Sequence, residues 1–226
     1  MAIEMSRVLH NADLLLRPHR PPDERFTPGL RELIPLILLF GMAYGAVMGT
    51  FSATSLDRLP QILYAAIKVP ILLLVTFAIS VPSFFVINTL IGLRRDFAEA
   101  IRALIMAQAG LTIVLSSLAP FTALWYASTG DYNPSVIFNA LMFALASLTA
   151  QFILRRLYLP LIQRDVRHRL MLRLWLIIYI FVGIQMAWIL RPFVGSPLSE
   201  TRFFREGAFS NAYLAVAKLI WSVLTE

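Results

Sequence analysis

The sequence predicts an all-α integral membrane protein: a bundle of five transmembrane helices followed by a C-terminal amphipathic helix. Three observations predict it. Hydrophobic residues make up 58% of the 226-residue chain and charged residues 15%, with a mean hydropathy of +0.72; soluble domains run to about 45–50% apolar and about 25% charged. The apolar residues are gathered into five blocks, each able to supply the roughly 20 helical residues that a bilayer requires. Lys and Arg flank those blocks, and the formal charge is +7. In that position the charge reads as topology signalling and attraction to anionic lipid headgroups, with no nucleic-acid partner. The chain has no cysteine, which excludes disulfides, thiolate metal sites and cysteine nucleophiles.

Residues 1–32 are polar and proline-rich and form a cytoplasmic segment. Their one apolar run, 14–16, is too short for a cleavable signal peptide. The first span is expected over 33–53. A short interfacial helix is expected over 59–68, and the second span over 70–93, with Pro70 in its first turn and Pro82 kinking it. The third span covers 98–128, opened by Asp96 and Glu99 as a capping box and carrying Pro120 near its outer end. "STGDYNP" is a turn cluster, and Asn133-Pro134 reads as N-cap and first helical residue of the fourth span, 134–155. The fifth span is 172–194, which makes 33–194 the transmembrane domain.

Residues 195–226 differ in pattern. Asn211, Ala215, Lys218 and Ser222 share one helical stripe, and Phe209, Tyr213, Val216, Ile220 and Val223 share another. Lys218 at a bilayer centre costs about 3 kcal/mol, so this helix is expected to lie in the interface. The alternative is a sixth span that returns the C-terminus to the cytoplasm.

Orientation follows from the basic residues. Fourteen of them (Arg7, Arg17, Arg20, Arg25 and Arg31; Arg94, Arg95 and Arg102; Arg155, Arg156, Arg164, Arg167, Arg169 and Arg173) fall on one side, and six (Arg58, Lys68, Arg191, Arg202, Arg205 and Lys218) on the other. The positive-inside rule places the N-terminus in the cytoplasm and 195–226 outside, in a multi-pass protein of the cell (inner) membrane.

Gly41, Gly45 and Gly49 recur at helical spacing in "GMAYGAVMG". In lipid, apolar helices gain nothing hydrophobic by meeting, and small residues supply close backbone contact instead. The three are expected to form one helix-packing face. Asn88, Gln108, Asn139, Gln151 and Gln185 are the polar candidates within the bundle, either bonding across helices or lining a solute path. Lys68 and Arg102 sit near span ends, where snorkelling accounts for them.

No catalytic constellation is visible. His10, His19 and His168 are scattered, and HExxH, GxSxG and phosphate-loop motifs are absent. His168 reads as part of a basic, lipid-facing stripe, and Asp165 as the partner of a nearby Arg. No enzyme activity, cofactor or metal is expected. Arg155, Arg156, Arg164, Arg167 and Arg169 form a basic loop suited to anionic headgroups or an acidic partner. Trp188, Arg191, Phe193, Phe203, Phe204 and Arg205 concentrate aromatic and guanidinium groups in an outer segment, as a cap on the bundle or a docking surface.

The stretches "AYGAVMG", "AIKVPILLLVTFAISVPSFFVINTLIG" and "WILRPFVGSP" resemble a group of bacterial polytopic membrane proteins of unknown function. The five-span layout, Tyr44-Gly45 and the proline in the second span are similar to the Yip (Ypt-interacting) superfamily. That resemblance implies a non-enzymatic adaptor. The acidic cytosolic motif of those adaptors is not evident here, so no trafficking role and no functional residue transfers. The expected function is a non-catalytic scaffold or accessory subunit with a protein partner in the membrane or a second copy. The alternative is a small channel or permease, with Asn139, Gln151 and Gln185 along its path.

Overall fold

A computed structural model describes residues 10, 12–13, 15, 29–52, 58–196, 200–205 and 207–214. Among them there is no strand. The helices are α1 (Leu30–Gly49), α2 (Pro60–Leu90), α3 (Phe97–Ser117), α4 (Ala119–Ser128), α5 (Tyr132–Arg164) and α6 (Arg167–Leu190), with 3-10 turns at Thr50–Ser52 and Arg94–Asp96. Five stretches are long and apolar enough to cross a membrane: Leu30–Gly49, Pro60–Leu90, Arg94–Ser128, Tyr132–Arg164 and Arg167–Leu190. The expected C-terminal helix and its sixth-span alternative fall largely outside the described residues, as do Arg7, Arg17, Arg20, Arg25, His19 and Lys218.

Several boundaries depart from expectation. Residues 59–68 are no separate interfacial helix, and Pro70 is no helix start. One helix of 31 residues runs from Pro60, which occupies the first-turn position, through both Pro70 and Pro82. The buried stripe Ala65, Val69 and Leu73 continues across Pro70, and in an apolar surround neighbouring helices and local adjustment compensate for a proline's missing donor. α2 ends where Gly92, at φ 85°, adopts the left-handed conformation. Leu93 N–H then bonds the Asn88 carbonyl at 2.9 Å and Gly92 N–H that of Thr89 at 3.0 Å, the paired bonds of a Schellman cap. α5 begins at Tyr132, so Asp131 takes the N-cap position expected of Asn133. At Leu118 the third span breaks into α3 and α4, and Pro120 lies in the first turn of the new helix.

α1 packs along α2 and α3, α3 along α5, and α2 along α6, while α5 and α6 scarcely touch. The arrangement is a ring of five spans with one open seam. The third span, Arg94–Ser128, is the most enclosed: two thirds (67%) of its apolar window is buried, against 11% for α6. Ala12 and Leu15, from the polar N-terminal segment, are buried with Leu33, Leu36, Ile105 and Met106 of α1 and α3. That docking carries no periodic signal in the sequence.

The glycines are used unequally. A Cβ on Gly45 would lie 2.8 Å from Ala66 Cα and closer still to the Ala65 carbonyl oxygen; one on Gly49 would lie 2.6 Å from Ile62 Cα. At Gly41 the nearest atom is Pro70 Cβ at 3.4 Å, an ordinary contact. All three therefore face α2, and backbone meets backbone at Gly45 and Gly49.

Candidate functional site

Polar side chains gather at three levels. The first is inside the bundle. Tyr44 of α1 donates to Asn139 Oδ1 of α5 at 3.0 Å and lies 3.4 Å from Thr122 Oγ1 of α4. Asn139 Nδ2 donates in turn to Tyr126 and to the Ser135 carbonyl. Gln108 of α3 donates to the Leu73 carbonyl at 3.0 Å and to the Tyr179 hydroxyl, tying together α2, α3 and α6. Buried polar groups need partners, and Asn139 and Gln108 find theirs across helices. Asn88 is fully buried, and among the described residues neither of its side-chain polar atoms has a partner. Gln151 lines the open seam beside α6. Gln185 lies outside this set: it exchanges bonds with Ser210 and Ala212, at 3.1 and 2.9 Å, and so holds the chain that follows α6.

The second level is the end that carries the start of α2. There the chain after α6 is tied down carbonyl by carbonyl. Lys68 Nζ donates to Pro192 O at 2.8 Å, Gln61 to Phe193 O at 3.0 Å, and Arg58 to Ser196 O at 2.9 Å. Lys68 is not a snorkelling residue at a span end. It is fully buried, with its ammonium 4.9 Å from the Phe203 ring centre. A buried ammonium requires acceptors, and here a carbonyl and an aromatic face supply them. Phe203 also packs edge-on against Tyr64 and Phe204. Trp188 donates to Ser210 Oγ at 3.0 Å and carries the Arg191 guanidinium over its ring at 3.3 Å. Arg191, Phe193 and Arg205 border a cavity of about 510 Å³ whose other walls include Met48, Val136 and Asn139. Burial, and after it the Arg205 guanidinium, push the Arg191 guanidinium below its ordinary pKa.

The third level is the basic end. Residues 155–173 are not a loop: α5 runs to Arg164, and only Asp165 and Val166 separate it from α6. His168 is not lipid-facing. It is fully buried, packed edge-on against Tyr158, with Nε2 3.2 Å from Asp96 Oδ2. Asp96 and Glu99 therefore do not form the expected capping box; Asp96 makes no side-chain cap bond. Both carboxylates turn to Arg164, at 3.6 and 2.6 Å, because the α5–α6 turn brings an arginine and a histidine over the start of α3. Arg167 pairs with Asp165 at 2.7 Å and donates to the Ile91 carbonyl at 2.8 Å. Its hydrogen bonds hold the Asp165 carboxyl down to about 2. Arg156 donates to the Leu15 carbonyl at 3.2 Å, while Arg155 and Arg169 are exposed.

Among the described residues no three His, Asp or Glu side chains stand together as metal ligands would. His168 and Asp96 are the pair nearest to an acid–base couple, and the burial of the imidazole makes their bond a brace between α3 and α6. Nothing local in the sequence marks Lys68, His168 and the 192–196 segment as tied in this way, because their partners lie far along the chain. No family model, curated protein or solved structure matches this chain.

Proposed function

We propose that this is a non-catalytic, multi-pass scaffold or accessory subunit, with its basic end in the cytoplasm and the 192–205 segment outside. One observation carries the reading: the basic end is a braced platform. Asp96–His168, Glu99–Arg164 and Arg167–Asp165 lock the ends of α3, α5 and α6 together. Arg94, Arg95, Arg155, Arg169 and Arg173 are exposed around them. A rigid cationic surface at a membrane boundary suits an acidic protein partner or anionic headgroups. A channel has less support, because two of the three residues expected along its path, Asn139 and Gln185, are already bonded within the chain, while Gln151 lines the seam.

Native purification of the tagged protein in mild detergent, with mass spectrometry of what co-elutes, tests the reading. A stoichiometric partner lost from Arg155→Glu/Arg169→Glu supports it. Recovery of the chain alone, from wild type and variant alike, sinks it and sends the work to flux assays.

A further inference from the structure

The open seam between α5 and α6 has the shape and charge of a lipid site. The cavity of about 510 Å³ at its outer end and a second of about 670 Å³ behind it both touch Phe143 and Ala187, so they run end to end. Each volume is within the roughly 300–1,000 Å³ of small-molecule sites. The inner stretch is walled by Leu104, Leu111, Ala144, Leu148 and Gly183, and the polar pair at its back, Gln108 and Tyr179, is already bonded to itself. Apart from Ser147 and Gln151, what remains along this stretch of the seam is apolar.

The outer mouth differs. Arg191 and Arg205 both border it. Among the described residues neither has a carboxylate partner, and the Arg191 Nε–H is buried without an acceptor. Two guanidinium groups at the head of an apolar trough, one of them with a buried N–H that no described residue accepts, make a place for an anion. Guanidinium forks match phosphate oxygens in geometry and charge. A partner helix fits less well, since it would have to bring its own acid to the mouth, whereas a phospholipid carries phosphate and chain on one molecule.

We infer that the seam binds one anionic phospholipid, its phosphate between Arg191 and Arg205 and an acyl chain running past Ala187 toward Tyr179. The site is separate from the cationic platform at the other end of the bundle and does not depend on it.

The test is native mass spectrometry of the full chain released from nanodiscs of phosphatidylglycerol or of phosphatidylcholine. Wild type is expected to keep one phosphatidylglycerol and little phosphatidylcholine. Arg205→Gln, at an exposed side chain with no ion pair to break among the described residues, and Arg191→Gln/Arg205→Gln are expected to lower retention about tenfold, the scale of a lost charged hydrogen bond. Ala187→Leu, which fills the junction of the two cavities, is expected to do the same with both arginines intact. Equal retention of the two lipids, or wild-type retention by Arg205→Gln and Ala187→Leu, overturns the inference. So does displacement of the lipid by inorganic phosphate alone, which makes the site one for a free anion. A protein helix crosslinked into the seam in place of lipid overturns it as well.

Discussion

Replacing the three α1 glycines by alanine, one at a time, separates backbone contact from simple repetition. Carbon atoms rest at about 3.5–4.0 Å. At Gly45 the new Cβ would stand 2.8 Å from Ala66 Cα, about 0.7–1.2 Å too close, and would meet the Ala65 carbonyl first. Both obstacles are backbone, so α1 and α2 must move apart. A gap of about 0.5–1 Å forfeits a quarter to a half of each contact's dispersion energy, and forced overpacking costs about 1–3 kcal/mol. Gly49→Ala meets Ile62 Cα at 2.6 Å and belongs to the same class. Gly41→Ala meets only the Pro70 ring at 3.4 Å, and alanine in place of glycine favours a helix by up to about 1 kcal/mol. The expected order is therefore Gly41→Ala at or above wild type, with Gly45→Ala and Gly49→Ala about 1–3 kcal/mol below it. Gly45→Leu should fall further and lower folded yield. Heating each variant in mild detergent and measuring the surviving monodisperse fraction by size exclusion reads the order. Equal stability of Gly41→Ala and Gly45→Ala refutes the argument, because repetition alone treats the two positions alike.

Three further outcomes are expected. Tyr44→Phe removes the donor to buried Asn139 and should cost about 0.6–2 kcal/mol in the same assay; no change would mean that Asn139 is satisfied without it. Lys68→Met removes the anchor on Pro192, so trypsin should cut at Arg202 and Arg205 faster than in wild type while the spans stay protected; unchanged cleavage would show that Gln61 and Arg58 suffice. The Asp165 carboxyl is held at about 2 against an ordinary 3.8. Its ionised form therefore stabilises the folded chain above the ordinary value, and that contribution is lost as pH falls toward 2. Wild type and Asp165→Asn should differ at neutral pH and converge in acid, and a constant gap would exclude the pair as the cause.

The helices are legible in the sequence far better than the ties between them. Five apolar blocks predict five long helices because bilayer thickness sets a length that composition alone reports. The boundary at Pro70 was misplaced because proline starts helices in water, while in this bundle the buried stripe of α2 overrides it. His168 looked lipid-facing because its chain neighbours Arg167 and Arg169 are exposed. Its burial depends on Asp96 and Tyr158, 72 and 10 positions away, and the nearer of these gives no local hint of contact. Gln185 was grouped with Asn139 on polarity alone. Its position near the end of α6 hands it to Ser210 and Ala212 instead. The Arg191–Arg205 mouth was visible as aromatic and basic composition, but the cavity it faces arises from helix order.

The Lys68 anchor has a consequence in time. Its carbonyl partner lies 124 residues downstream. At about 5–20 residues per second, a ribosome reaches Pro192 roughly 6–25 s after Lys68 is made. For that interval the second helix enters the membrane with an ammonium that the finished protein buries but the nascent chain cannot satisfy. A lysine costs about 2.5–3.5 kcal/mol to insert at a helix centre, and Lys68, in the first third of α2, costs a part of that. Early α2 should accordingly remain near the interface or in contact with the insertion machinery until the last span arrives. A chain stalled before Arg191 would be an insertion intermediate, recognisable by a Lys68 still open to amine-reactive labels.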